Sequence, residues 1–237
     1  MKPKKCALAS TPRSGTHFLR SVLHNHKYME FAWEFFKPLN EKYPTTIRDY
    51  IYDDINDPSI IDLDYVGFVW HLILESDLDK NKIDKFIILE RKNKLQQFVS
   101  LLIATKTDSF AYTKTTERIK VNPDHLDHFI NKHNNLYLEF RSSLKNYKNI
   151  YYEDLCDNFR HTIKDIHNYL GVQQDNQEWG EFWFRTNGRH FGRTPFIKQE
   201  TRPMKEVIIN YEDVKQYDGF YKIWVYAKLR SSRLDNR

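Results

Sequence analysis

Glycine is scarce in this chain, with seven among 237 residues, and cysteine and methionine are scarcer, with two and three. The cysteines, Cys6 and Cys156, cannot build a disulfide framework, and neither has the close Cys or His company that a zinc site needs. A reducing compartment follows, and the cytoplasm is the expected location. Long apolar runs are missing too. Phe68 to Leu74 and Phe98 to Ala104 are the longest, about seven residues each against the ~20 that a membrane helix requires, so no membrane span is expected. The basic opening Met1-Lys-Pro-Lys-Lys runs straight into Cys6-Ala-Leu-Ala-Ser, with no further apolar region or cleavage site, and no signal peptide is read. There is no internal repeat and no Pro-, Gly- or Ser-rich linker, which predicts one domain over residues 1–237. One-sided charge is also lacking. A net +5 suits an anionic ligand but falls far short of a tail-driven nucleic-acid binder, so nucleic acid is disfavoured as a partner.

What is present is a globular composition. Hydrophobic residues make up 40% of the chain, and a 29% charged fraction sits beside 15% aromatics, rings that a disordered chain would lack. Strand-like segments are predicted at Cys6–Ser10, Tyr28–Trp33, Val66–Trp70, Phe86–Leu89 and Asn149–Tyr152. Helical patterns fall between them at Thr16–Asn25, Lys94–Thr105, His125–Lys145 and Asn158–Leu170, the last with Phe159, Ile163, Ile166 and Leu170 at three- and four-residue steps. Strands that read as continuous apolar runs and alternate with helices predict an α/β fold, a central parallel sheet flanked by helices on both faces.

The most informative stretch is Leu8-Ala-Ser-Thr-Pro-Arg-Ser-Gly-Thr-His-Phe-Leu-Arg20, a buried strand, a tight turn and a helix. Such a turn aims backbone N–H groups and the positive helix end at one point, where a phosphate or sulfate oxygen binds well. Gly15 would allow close backbone approach, Ser14, Thr16 and His17 would add donors, and Arg13 would offer a guanidinium fork. The Walker A pattern is not met, because Ser10 and Thr16 stand where its leading glycine and its lysine belong. The bland alternative is a turn in which Ser14 or Thr16 merely caps the helix.

The string Thr-Pro-Arg-Ser-Gly-Thr-x-Phe-Leu resembles the 5′-phosphosulfate loop of sulfotransferases that use 3′-phosphoadenosine-5′-phosphosulfate (PAPS). The resemblance implies that Arg13 meets the sulfuryl group and the bridging oxygen, while Ser14, Gly15, Thr16, His17 and Phe18 surround the 5′-phosphate. Phe86-Ile-Ile-Leu-Glu-Arg-Lys-Asn-Lys-Leu-Gln-Gln-Phe-Val-Ser-Leu-Leu-Ile-Ala104 is similar to the family's 3′-phosphate element, which implies Arg91 and Ser100 as its ligands, with Lys92 a rival for the arginine's place. Asn149-Ile-Tyr-Tyr-Glu-Asp-Leu, followed by a helix ending at Leu170-Gly171, is the third match, and it puts Tyr152 on the adenine. Together the matches span about residues 5–172 and imply a P-loop NTPase-like sulfotransferase fold, with PAP as product and no metal.

Sulfuryl transfer to an alcohol needs positioning, cationic stabilisation and a base for the acceptor hydroxyl. In Phe31-Ala-Trp-Glu-Phe-Phe-Lys-Pro-Leu39 a single carboxylate, Glu34, lies among aromatic neighbours that would raise its pKa toward a working value. The segment is similar to that of bacterial trehalose-type sulfotransferases, whose glutamate is the general base. His71, just beyond a predicted strand, is the rival base and has packing as its bland alternative. The late basic stretch from Trp183 to Lys205 reads as a loop, and Arg193 and Lys198 are the candidates in it for closing the nucleotide pocket. The run Phe220 to Leu229 reads as core or a dimer face, which leaves a homodimer open.

The leading function is therefore a PAPS-dependent sulfotransferase acting on a small-molecule or glycan hydroxyl. Two other classes stay open. One is a nucleotide kinase-like enzyme with a degenerate loop, and the other a non-enzymatic binder of polyanions or nucleic acid.

Overall fold

The structure is a computed structural model that describes residues 2–34, 50–51, 58–73, 79–108, 116–173 and 202–218, without the side chains of residues 33, 34 and 59. Five strands form one sheet: β1 Lys4–Ser10, β2 Met29–Glu34, β3 Tyr65–His71, β4 Lys85–Glu90 and β5 Lys148–Tyr151. Their order is β2-β3-β1-β4-β5, and every pairing is parallel. Ser10 lies opposite His71 on one side and Leu89 on the other, so the carboxyl ends of β1, β3 and β4 finish level. Strands β1, β3 and β4 extend their apolar runs by a residue or two, because backbone pairing continues past the last apolar side chain, as at Lys4 opposite Tyr65, whereas β2 lies one residue later than Tyr28–Trp33 and β5 one residue earlier than Asn149–Tyr152.

The helices are α1 Thr16–His24, α2 Lys94–Lys106, α3 Pro123–Ser142, α4 Tyr152–Asp157, α5 Phe159–Leu170 and α6 Met204–Val207. Contacts divide the chain into two units, one of Met1–Glu90 with Asn135–Phe196 and one of Arg91–Asn134 with Ile197–Arg237. In the first unit the sheet is buried on both faces. Cys6, Leu8, Val69, Ile87 and Leu89 point to the face covered by Leu19 and Leu23 of α1 and by Ile163, Ile166 and Leu170 of α5. Ala7, Ala9, Phe68, Trp70, Phe86 and Ile88 point to the other, packed with Tyr137 and Phe140 of α3. Odd and even positions of one strand thus serve different cores, the reason its sequence shows no polar alternation. Each fully buried Val, Leu, Ile or Phe among them contributes roughly 1.5–3 kcal/mol, and the alanines far less.

The second unit has its own core of Leu95, Phe98, Val99 and Ile103 from α2, Val121, Leu126 and Phe129, and Val207, Ile208 and Val214. Here the expected helix at His125 begins two residues earlier. Pro123 suits a first helical position, and Asn122 Oδ1 accepts hydrogen bonds from the amides of Asp124 at 2.8 Å and His125 at 3.2 Å. The expected loop through Lys205 gives way to α6 at Met204; its earlier part, with Arg193 and Lys198, and the run Phe220 to Leu229 lie outside the described residues. No helix among the described residues is long and apolar enough to cross a membrane.

Candidate functional site

The turn between β1 and α1 is built by backbone conformation rather than by a side-chain cap. Arg13 has φ 64° and Gly15 φ 89°, both left-handed, and no side chain caps α1. That conformation is costly for a non-glycine residue, so Arg13 holds it only because its surroundings impose it. Gly15 occupies the N-cap position, and the first hydrogen bonds of the helix run to its carbonyl from the amides of Phe18 at 3.1 Å and Leu19 at 3.2 Å. The amides ahead of Phe18 belong to the helix end, whose N–H groups point along the axis and attract anions.

Close approach at Gly15 is used by a protein ring. A Cβ there would lie 2.2 Å from a ring carbon of Tyr152. Tyr152 is not the last strand residue that its sequence suggests: β5 stops at Tyr151, and Tyr152 opens α4, whose first turn carries Glu153 and Asp154 at the positive helix end. The helix start carries the half-buried ring onto the turn. Gly171, at φ 73°, is the left-handed C-cap of α5 that its position after Leu170 predicts.

The hydroxyls of the turn are directed inward. Ser14 is fully buried, and its Oγ lies 3.3 Å from Thr11 Oγ1 and 3.2 Å from Tyr137 Oη. Thr16 Oγ1 shares a hydrogen bond of 2.7 Å with Ser10 Oγ. Tyr137, a residue with no local sequence signal, is the centre of this arrangement. Its hydroxyl donates to the Leu89 carbonyl at 2.8 Å, accepts from the Thr11 amide at 3.0 Å and lies 3.2 Å from Thr11 Oγ1. Burial, reinforced by the charge of Glu90, pushes this phenol up to about 12, so it stays a neutral hydroxyl at ordinary pH. Glu90 is held by Arg141, which also bonds Asn149 Oδ1 at 2.6 Å and sits 5.3 Å from the Tyr137 ring centre.

Of the other predicted residues in this unit, His17 is exposed in the first turn of α1, and Phe18 stacks on Phe159 with ring centres 5.9 Å apart. His71 is the last residue of β3 rather than beyond it, buried and in register with Ser10. Glu34 ends β2 opposite Val69, two positions before His71 on the neighbouring strand. In the second unit Arg91 follows β4 directly, is buried and donates to Gln96 Oε1 at 3.1 Å. Lys92 is half-buried, and Asn93 caps α2 by accepting from the Gln96 amide at 2.9 Å. Ser100 is half-buried on α2. Among the described residues no group of three or more His, Cys, Asp or Glu is placed to hold a metal ion.

No family model matches the chain, and no curated protein matches it in sequence. Solved structures match it in fold. The sulfotransferase domain from the curacin biosynthetic pathway is 16% identical, with 92% of this chain and 89% of that one covered and a TM-score of 0.50. The sulfotransferase domain from the Synechococcus PCC 7002 olefin synthase is 14% identical, with 87% and 86% covered and a TM-score of 0.50. Mouse sulfotransferase SULT7A1 complexed with PAP is 18% identical, with 76% of this chain covered and a TM-score of 0.46; the chain spans 62% of that enzyme's length. The five-stranded parallel sheet flanked by helices is thus the sulfotransferase fold.

Proposed function

We propose that the chain is a sulfotransferase that moves a sulfuryl group from PAPS to an acceptor hydroxyl. The observation that carries this reading is the turn at residues 11–16. It stands at the carboxyl end of the central strand of a sulfotransferase-type sheet, with Arg13 held left-handed beside the α1 N-terminus. Ligands of parallel α/β sheets bind beyond the carboxyl ends of the strands.

In this reading the α1 amides and Arg13 hold the 5′-phosphosulfate. Because Ser14 and Thr16 turn their hydroxyls inward, the backbone there does the binding, and their side chains shape the turn. Arg91 and Ser100 take the 3′-phosphate, Tyr152 the adenine, and Arg193 with Lys198 the closing loop, as the resemblance assigns them. PAPS supplies an activated sulfuryl group. Glu34 takes the acceptor proton as the new S–O bond forms, the S–O bond to the phosphate breaks and PAP departs. The aromatic residues that flank Glu34 in sequence favour a sugar hydroxyl as acceptor, in keeping with the likeness to trehalose-type enzymes.

Thermal melting with nucleotides tests the donor. PAP should raise Tm well above the shift from AMP, which lacks the 3′-phosphate. Equal shifts would remove Arg91 and Ser100 from the reading. Glu34→Gln should abolish transfer of radiolabelled sulfate and leave PAP binding nearly intact; unchanged turnover would move the base to His71.

A further inference from the structure

Four groups converge on the Tyr137 hydroxyl, and they come from distant parts of the chain. The Thr11 amide and Thr11 Oγ1, at 3.0 and 3.2 Å, and Ser14 Oγ, at 3.2 Å, belong to the turn after β1. The Leu89 carbonyl, at 2.8 Å, belongs to β4, the neighbouring strand, and precedes Glu90 and Arg91 in the chain. The ring itself is fully buried in the core beneath the sheet, so α3 fixes where the hydroxyl stands. A phenol carries one proton and accepts through the oxygen lone pairs, and here the proton goes to β4 while the turn side supplies the Thr11 donor. Removing the oxygen would leave a buried N–H and a buried carbonyl each short of one hydrogen bond, the costly way to lose one.

We infer that Tyr137 is the positioning residue of the anion-binding turn, its hydroxyl pinning Thr11 and Ser14 to the carboxyl end of β4. This rests on the reading of the turn as the donor site, but the tie between the two strand ends does not depend on which anion binds. Without it Thr11 and Ser14, which bracket Pro12 and Arg13, would each lose a tie to the Tyr137 hydroxyl, and the segment that holds Arg13 left-handed would loosen.

Hydrogen exchange on the full-length protein without ligand reads the tie directly. In Tyr137→Phe, peptides covering residues 9–16 should exchange about tenfold faster than in the parent, while those covering α5 keep their protection. Ser14→Ala leaves Thr11 and Leu89 on the hydroxyl, serves if the first variant does not fold, and should speed the same peptides by about threefold. PAP binding should weaken about tenfold in Tyr137→Phe. Turn exchange within about twofold of the parent in both variants overturns the inference. So does a loosened turn that binds PAP as tightly as before. A parent that PAP stabilises no better than AMP removes the functional reading instead, while the ligand-free exchange comparison still decides the role of Tyr137.

Discussion

Tyr137 and His133 stand four residues apart on α3, both buried and both polar, yet their surroundings treat them in opposite ways. The Tyr137 hydroxyl is engaged from several sides by the turn and by β4. His133 packs its ring on Phe129 with centres 3.8 Å apart, and its Nδ1 has no hydrogen-bond partner. One region spends its polar groups on fixing a backbone, whereas the other uses a titratable ring as if it were an apolar one. The difference separates a place where geometry is specified from one where only volume is filled. It also gives the two regions opposite pH liabilities.

The acid side carries the largest expected effect. Burial, with Lys94 and Lys132 adding like charge, lowers the His133 pKa to about 3 from 6.5. The folded state therefore keeps the ring neutral while the unfolded chain takes up a proton below pH 6.5. The associated stability is complete above that pH and is lost as pH falls toward 3, by up to about 4 kcal/mol. His133→Leu should flatten the stability profile between pH 6.5 and 3.5 in denaturant titrations. An unchanged acid slope would show that the ring reaches water or a partner, and the contrast with Tyr137 would fail.

Gly15→Ala should come next. The new Cβ would meet the Tyr152 ring at 2.2 Å in a backbone conformation that L residues disfavour. Strain and overpacking together should cost about 3 kcal/mol. Because the clash is inside the turn, PAP affinity should fall together with stability. Adding Tyr152→Ala to Gly15→Ala should restore part of the lost stability, a coupling that thermal melts of the double variant would measure.

Much of this was legible in the residues alone. The five apolar runs become the five strands because both faces of a parallel sheet are buried, and Gly171 announces the end of α5 by its position after Leu170. The turn before α1 was legible from its strand, glycine and helix. The directions of its hydroxyls were not. Whether Ser14 faces a ligand or the core depends on Tyr137, 123 positions away, and Thr16 depends on Ser10 across the turn. A hub assembled from residues 11, 14, 89 and 137 has no spacing to recognise, since each contact exists only after the sheet has formed. The start of α4 at Tyr152 did have a signal, the acidic pair Glu153 and Asp154, which suits the positive end of a helix better than the end of a strand.

The smallest effect lies on the alkaline side and separates two tyrosines. Burial pushes both Tyr137 and Tyr65 up to about 12 from 10. For each, the unfolded chain loses its phenolic proton near pH 10 while the folded state keeps it, so stability is complete below pH 10 and drains away between 10 and 12. Tyr137, which is fully buried, accounts for about 2.7 kcal/mol of that loss at most. Tyr65 donates to the Leu170 carbonyl at 2.7 Å, a contact with no member in the β1–α1 turn. Tyr137→Phe and Tyr65→Phe should therefore each reduce the alkaline slope, and neither should abolish it. Only the first should also speed exchange at residues 9–16. If Tyr65→Phe loosens the turn equally, the hydroxyl of Tyr137 has no special hold on it, and the effect belongs to the sheet as a whole.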